Sequence, residues 1–161
     1  MENYIMLNGK RIDLTAEQIE TLVGKKEKDP FEMGEQGDTF YYITAGGYVG
    51  SDSTHGYCNS DALFEVANYC TDKELMEQRA LHETLNRLLW RYSMRHGGRD
   101  SKERLKWTIS YNGNINPCFG TRCQHNFSTL GTARFINEEA AKAAIEEIVK
   151  PFMEKHPEFR W

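Results

Sequence analysis

The chain has no apolar run approaching the roughly 20 residues that cross a bilayer. Its opening, MENYIMLNGKR, lacks the long apolar core of a secretory signal. Both absences point to a cytoplasmic protein in a reducing compartment, with no membrane partner. Positive charge is not in excess: 20 Lys and Arg against 24 Asp and Glu give a net charge of −4. That balance argues against loose, charge-driven nucleic-acid binding, though not against a local basic patch. Cysteines stand only at 58, 70, 118 and 123, and a reducing compartment disfavours disulfides. Cys118, Cys123 and His125, joined by Cys58 or His55, are zinc-type ligands. Their C-x4-C-x-H spacing matches no structural zinc motif, so no metal is expected. The chain carries no G-x-S-x-G, no Walker loop and no H-E-x-x-H. Cys123 and His125 can be drawn as nucleophile and base, but no third group orients them. The reading is a protein that is not an enzyme and needs no cofactor.

What the chain does have is the material of one α+β domain. It has 161 residues, 39% hydrophobic and 27% charged, enough to bury its own core. The dominant stretch is Thr71 to Gly98. Thr71 and Glu74 form a capping-box pattern. Leu81, Leu85, Leu88 and Tyr92 recur at helical spacing, with Leu75, Met76, Leu89 and Met94 widening the face. Gly97-Gly98 supplies the stop.

The rest of the chain reads around that helix. Tyr4 to Leu14 is a hairpin through Asn8-Gly9, a turn in which both residues accept positive φ. Thr15 and Gln18 cap a short helix. Lys25 to Gly37 is a loop that Phe31 can pin. A second hairpin runs from Phe40 through Ala45-Gly46-Gly47 to Val49, and Ser51 to Ser60 is a loop. Ala62 to Tyr69 suits a strand or a short helix equally. Arg99 to Lys106 is a charged linker. Trp107, Ile109 and Tyr111 begin a third hairpin, turning at Asn112-Gly113 and returning at Ile115. Asn116 to Phe127 is a loop, and Leu130 to Ile136 a strand. Asn137 caps a last helix, which Pro151 should bend or end.

Two segments repeat. YYITAGGYV from Tyr41 aligns with WTISYNGNI from Trp107, and the same offset sets VANY on TARF and Thr71 on Asn137. The expected fold is therefore two tandem hairpin–loop–strand–helix units, 40–98 and 106–161, in a pseudo-twofold arrangement. An N-terminal hairpin and helix, 1–37, precede them in a single domain, 1–161. The apolar faces of the two helices do not keep the repeat's register.

Seven residues are candidates for ligand binding. Arg87 and Arg91, followed by Arg95, recur every fourth residue on the long helix and suit phosphate or an acidic surface. A solvated, ion-paired face is the plainer reading. Tyr41 and Trp107 occupy matched hairpin positions and can stack on a base, although core and surface packing of sheet-forming aromatics is the plainer reading. His55, Arg122 and His125 lie in the long loops, where binding residues concentrate.

Several blocks together resemble a group of small phage and prophage proteins of Gram-positive bacteria. They are LNGKRIDLTAEQIETL, FYYI with its G-Y-V return, ANYCTDKELMEQRALHETLNRLLWRYSMRHGG, and LGTARFINEEAAKAAIEEIVKPF. The resemblance covers most of the chain. It implies a phage accessory protein working in the cytoplasm of an infected bacterial host, and it carries no catalytic residues over. By analogy, such proteins antagonise host antiviral defence. The expected function is sequestration of a nucleotide-derived signalling molecule without turnover. The alternatives are direct inhibition of a host defence protein and, third, hydrolysis of such a signal. A homo-oligomer is compatible with a pseudo-symmetric unit, and Trp90 and Trp161 would serve it if exposed.

Overall fold

The computed structural model describes residues 4–7, 10–15, 18, 29–55, 59–98, 107–112, 118–123 and 133–161. The chain forms two compact units, Met1–Glu32 and Met33–Trp161. The fold is α+β, with three two-stranded antiparallel sheets among the described residues. No described helix is long and apolar enough to cross a membrane.

In the first unit, β1 (Tyr4–Leu7) pairs with β2 (Lys10–Asp13) in the register Tyr4↔Asp13 to Leu7↔Lys10. That register leaves two residues, Asn8-Gly9, for the turn, as the sequence indicates. Arg11 bonds Asp13 at 2.8 Å and lies 4.3 Å over the Tyr4 ring. The capping box at Thr15 is reciprocal. The Thr15 N–H donates to Gln18 Oε1 at 3.0 Å, and the Gln18 N–H to Thr15 Oγ1 at 3.2 Å.

At the end of the first unit Phe31 is 55% exposed, so it does not act as the expected anchor of its loop. The second unit begins with an irregular segment fastened by Tyr69, its hydroxyl accepting the Gly34 N–H at 2.8 Å. A Cβ on Gly34 would stand 3.1 Å from that hydroxyl and 2.9 Å from Asp38 Cβ, so the close approach needs glycine. Next, β3 (Thr39–Ile43) pairs with β4 (Val49–Ser53). Gly47, at φ +84°, closes their turn. The ambiguous stretch Ala62–Tyr69 begins as helix: α1 (Ser60–Glu65) is capped by Asn59, and Cys70, just beyond the stretch, bridges Tyr41. Between them the Asn68 side chain pairs with the edge of β3. Its amide accepts from the Ile43 N–H at 2.8 Å and donates to the Ile43 carbonyl at 2.9 Å.

The long helix α2 spans Lys73–Ser93 and ends in one π-type turn, Met94–Gly98, where Gly97 adopts φ +95°. Its cap is Asp72, one residue later than the sequence pattern indicates, with the Leu75 N–H donating to Asp72 Oδ1 at 3.0 Å. A carboxylate meets the positive end of the helix dipole better than a hydroxyl does. Asp72→Ala should lower stability by about 1 kcal/mol, read as a shift of the urea midpoint.

The third hairpin departs from expectation. β5 (Trp107–Asn112) pairs with β6 (Cys118–Cys123), Asn112 opposite Cys118. The return strand therefore lies where a loop was expected, Asn112 belongs to the strand rather than to the turn, and the expected return at Ile115 falls outside the described residues. The expected Leu130–Ile136 strand is reduced, among described residues, to one bridge, Phe135 to Trp107. Asn137 caps α3 (Glu138–Ala144) as expected, accepting the Ala140 N–H at 2.8 Å. A π-type turn at Ile145–Val149 leads into α4 (Lys150–Lys155). Pro151 does not end the helical run. It sits in the first turn of α4, where a missing N–H costs least.

The repeat is visible in pairing. Tyr41 exchanges two main-chain hydrogen bonds with Cys70, and Trp107 two with Phe135. Each bridge lies two residues before a helix cap, Asp72 or Asn137. The sequence alignment matches Tyr69 to Phe135 and Thr71 to Asn137. The structural equivalence is one residue later in the first repeat, at Cys70 and Asp72.

The core forms two clusters that share α2. Met76 and Ala80 join Ile43 and Cys70, with Tyr41 and Val49 packed beside them. Leu85, Leu89 and Tyr92 join Phe135, Ala141, Ala144, Val149, Phe152 and Phe159. From Ala80 to Leu85 the helix turns about 140° beyond a full revolution. The two halves of α2 thus bury different sides, which corrects the single widened stripe read from the sequence. Within the second cluster, burial holds the Tyr92 hydroxyl above the ordinary tyrosine pKa, with Glu147 adding to the effect. A raised folded pKa gives stability that is complete below about pH 10 and falls as pH rises through the folded value. Urea midpoints should drop across alkaline pH, and Tyr92→Phe should flatten part of that drop.

Candidate functional site

Where α2 turns its first buried side away from the β3–β4 hairpin, that side becomes free surface. Arg87, Arg91 and Arg95 follow one another there, a turn apart, all exposed. Arg87 Nη2 bonds Glu83 Oε2 at 3.0 Å, and Arg79 Nε bonds Glu83 Oε1 at 3.1 Å. Arg79 also donates to the Ala67 carbonyl, tying α2 to the end of α1. Arg91 and Arg95 form no ion pair with a described residue. Beside this row, Trp90 is 60% exposed, and Met94 follows it at i+4. The Met94 methyl lies against Gly98, where a Cβ would stand 2.8 Å away. Ile136 lies beside Gly97, 3.6 Å from that residue's Cβ position. The face has two lanes, one basic and one apolar.

A cleft of about 570 Å³ opens between the β3–β4 turn, α2 and the segment after α4. Its walls include Gly47, Tyr48, Thr84, Glu77, Lys155 and His156. Arg87 stands at the rim, its Nη1 3.7 Å from the Cβ position of Gly47. Tyr48 is 78% exposed there. The carboxylates are already engaged. Glu77 pairs with Lys73 at 3.3 Å, and Glu158, also on the wall, lies 3.2 Å from His156 Nδ1. A hydrogen bond from its own main chain, and then His156, holds the Glu158 carboxyl below the usual range.

Two further clefts flank the third hairpin. One of about 230 Å³ lies among His82, Asn86, Ile109, Phe135 and Trp161, and is small for an organic ligand. The other, about 670 Å³, is lined by Cys118, Phe119, Lys142, Glu146 and Lys150. Its lysines are paired, Lys142 with Glu138 at 2.8 Å and Lys150 with Glu146 at 2.6 Å. Among the described residues no group of three His, Cys, Asp or Glu has the geometry to hold a metal ion.

The residues singled out in the sequence are dispersed. Tyr41 and Trp107 are half-buried, and they pack against different core clusters. Exposed His55 adopts φ +60° and donates its N–H to Ser60 Oγ at 3.2 Å. Arg122 is exposed on β6, opposite Thr108. His125 lies outside the described residues. None of the described candidates lines these three clefts, and only Arg87 is placed at a rim. Arg87 and Arg91 share one face. Sequence reasoning noticed Trp90 only as an oligomer contact, although its place one turn from both Arg87 and Met94 was readable. Lys155 and His156 carried no signal, because their cleft is built by tertiary contact alone. No family model, curated protein or solved structure matches this chain.

Proposed function

We propose that the protein is a non-catalytic phage accessory protein that antagonises host antiviral defence by binding a host defence protein directly. The observation that supports this mode is the two-lane face of α2. An exposed tryptophan flanked by arginines has the composition of binding hot spots, and a convex helix suits another protein better than an enclosed small molecule. Capture of a nucleotide-derived signal is the second reading. Arg87, Tyr48 and Lys155 around the 570 Å³ cleft favour it, because a cation and an aromatic ring can meet phosphate and base. Tyr41 and Trp107, half-buried in separate clusters, offer that reading no common stacking platform.

Native mass spectrometry of protein purified from host cells separates the two. A stoichiometric protein partner is expected. A small molecule released on denaturation, with no protein partner, would reverse the order, and steady consumption of an added nucleotide would end both.

A further inference from the structure

We infer that the α2 face is a docking surface for an acidic amphipathic helix of the partner; this rests on the protein-binding reading above. The argument is one of spacing and charge. Arg87 and Arg91 stand four residues apart on α2, a rise of about 6 Å between their Cα atoms, and Arg95 follows in the turn that ends the helix. A partner helix with Glu or Asp at the same interval presents carboxylates at the same pitch. The carboxylate on the basic row, Glu83, is already shared by Arg79 and Arg87. The two arginines beyond it form no ion pair with a described residue. Alongside, exposed Trp90 is followed one turn on by Met94, and part-exposed Ile136 lies beside Gly97 at the end of the helix. An amphipathic helix has the matching pair of lanes, acidic and apolar, side by side. Nucleic acid fits less well, since the chain as a whole is acidic at −4 and would repel a phosphate polymer at long range.

The test uses the full chain and a synthetic 21-residue helical peptide carrying Glu at every fourth position beside a Leu row. Its counterpart carries Gln in place of Glu. Binding is read by anisotropy of the labelled peptide and by the indole signals of the protein. The Glu peptide should bind and move the Trp90 indole, and the Gln peptide should bind about tenfold more weakly. Trp90→Ala should weaken binding by at least about tenfold. Arg91→Glu with Arg95→Glu should lose the Glu peptide and gain one carrying Lys at those positions. All three positions lie on the surface, and circular dichroism checks that the variants fold.

Equal binding of Glu and Gln peptides would overturn the inference, as would variants that bind like the parent. Tighter binding of an oligothymidylate than of the Glu peptide would make the occupant a nucleic acid. Self-association lost in Trp90→Ala would make it a second copy of this chain. A cellular protein partner retained equally by parent and Trp90→Ala would keep the inhibitor reading and sink this face. Peptide binding without any cellular protein partner would do the reverse.

Discussion

Phe135→Ala should destabilise the 33–161 unit by about 3–5 kcal/mol, the usual cost of truncating a buried aromatic. Phe135 is 1% exposed and belongs to the cluster that joins α2 to α3 and the third hairpin. Its main chain holds Trp107 through two hydrogen bonds, at 3.2 and 2.9 Å. Alanine keeps both, so the loss isolates the ring's packing. Met76→Ala probes the other side of α2, where Met76 packs with Ile43, Cys70 and Ala80. It should cost about 2–5 kcal/mol. Because one helix serves both clusters, each variant should shift a single cooperative transition rather than split it. Urea unfolding followed by near- and far-UV circular dichroism checks this. A change under about 1 kcal/mol for Phe135→Ala would mean that the ring is not packed as described, and non-coincident transitions would mean that the two clusters unfold separately.

The shared helix also explains what the sequence could and could not tell. Hairpins are legible when the turn itself fixes the register. Asn8-Gly9 leaves room for only one pairing, and Gly47 supplies the positive φ that its turn requires. Asn112-Gly113 looks equally strong, yet Asn112 pairs with Cys118. There the register follows side-chain packing on the core, with Trp107, Ile109 and Phe119 against one cluster, and a local turn preference is the weaker force. Periodicity found α2 but merged its faces. It counts apolar residues at helical spacing and carries no information on which neighbour covers each side. Met76 and Leu85 therefore read as one stripe, although they pack into separate clusters. The arginine row was visible for the same reason, since it is confined to one helix. The exposure of Trp90 was not, because it depends on how far the β3–β4 hairpin reaches along α2. The cleft formed by Gly47, Thr84 and His156 joins three distant stretches of chain, and no local pattern marks it.

Tyr69→Ala should have a comparable effect to Phe135→Ala, about 3–5 kcal/mol, for a different reason. Tyr69 is 2% exposed. Its ring stacks on Phe40 at 4.7 Å and meets the edge of Phe64 at 5.6 Å. Its hydroxyl accepts the Gly34 N–H at 2.8 Å and shares a hydrogen bond with Thr54 Oγ1 at 3.2 Å. One residue thus packs the β3–β4 hairpin and fastens the segment before it. Tyr69→Phe separates the two roles. It keeps the stacking and leaves the Gly34 N–H without its partner, while Thr54 retains the Asp38 carbonyl at 3.2 Å. The phenylalanine variant should therefore lose only about 1–3 kcal/mol. Amide exchange reports the second role directly. Both variants should speed exchange at Gly34, because the hydroxyl that fastens that amide is removed in each. Residues of β3 should lose protection in the alanine variant and keep most of it in the phenylalanine one. Unchanged exchange at Gly34 in Tyr69→Phe would show that the hydroxyl does not hold this segment, leaving its order to the Asp38 side chain, which accepts the Glu35 N–H at 3.0 Å, and to main-chain bonds such as Gly37 N–H to the Thr54 carbonyl at 3.2 Å.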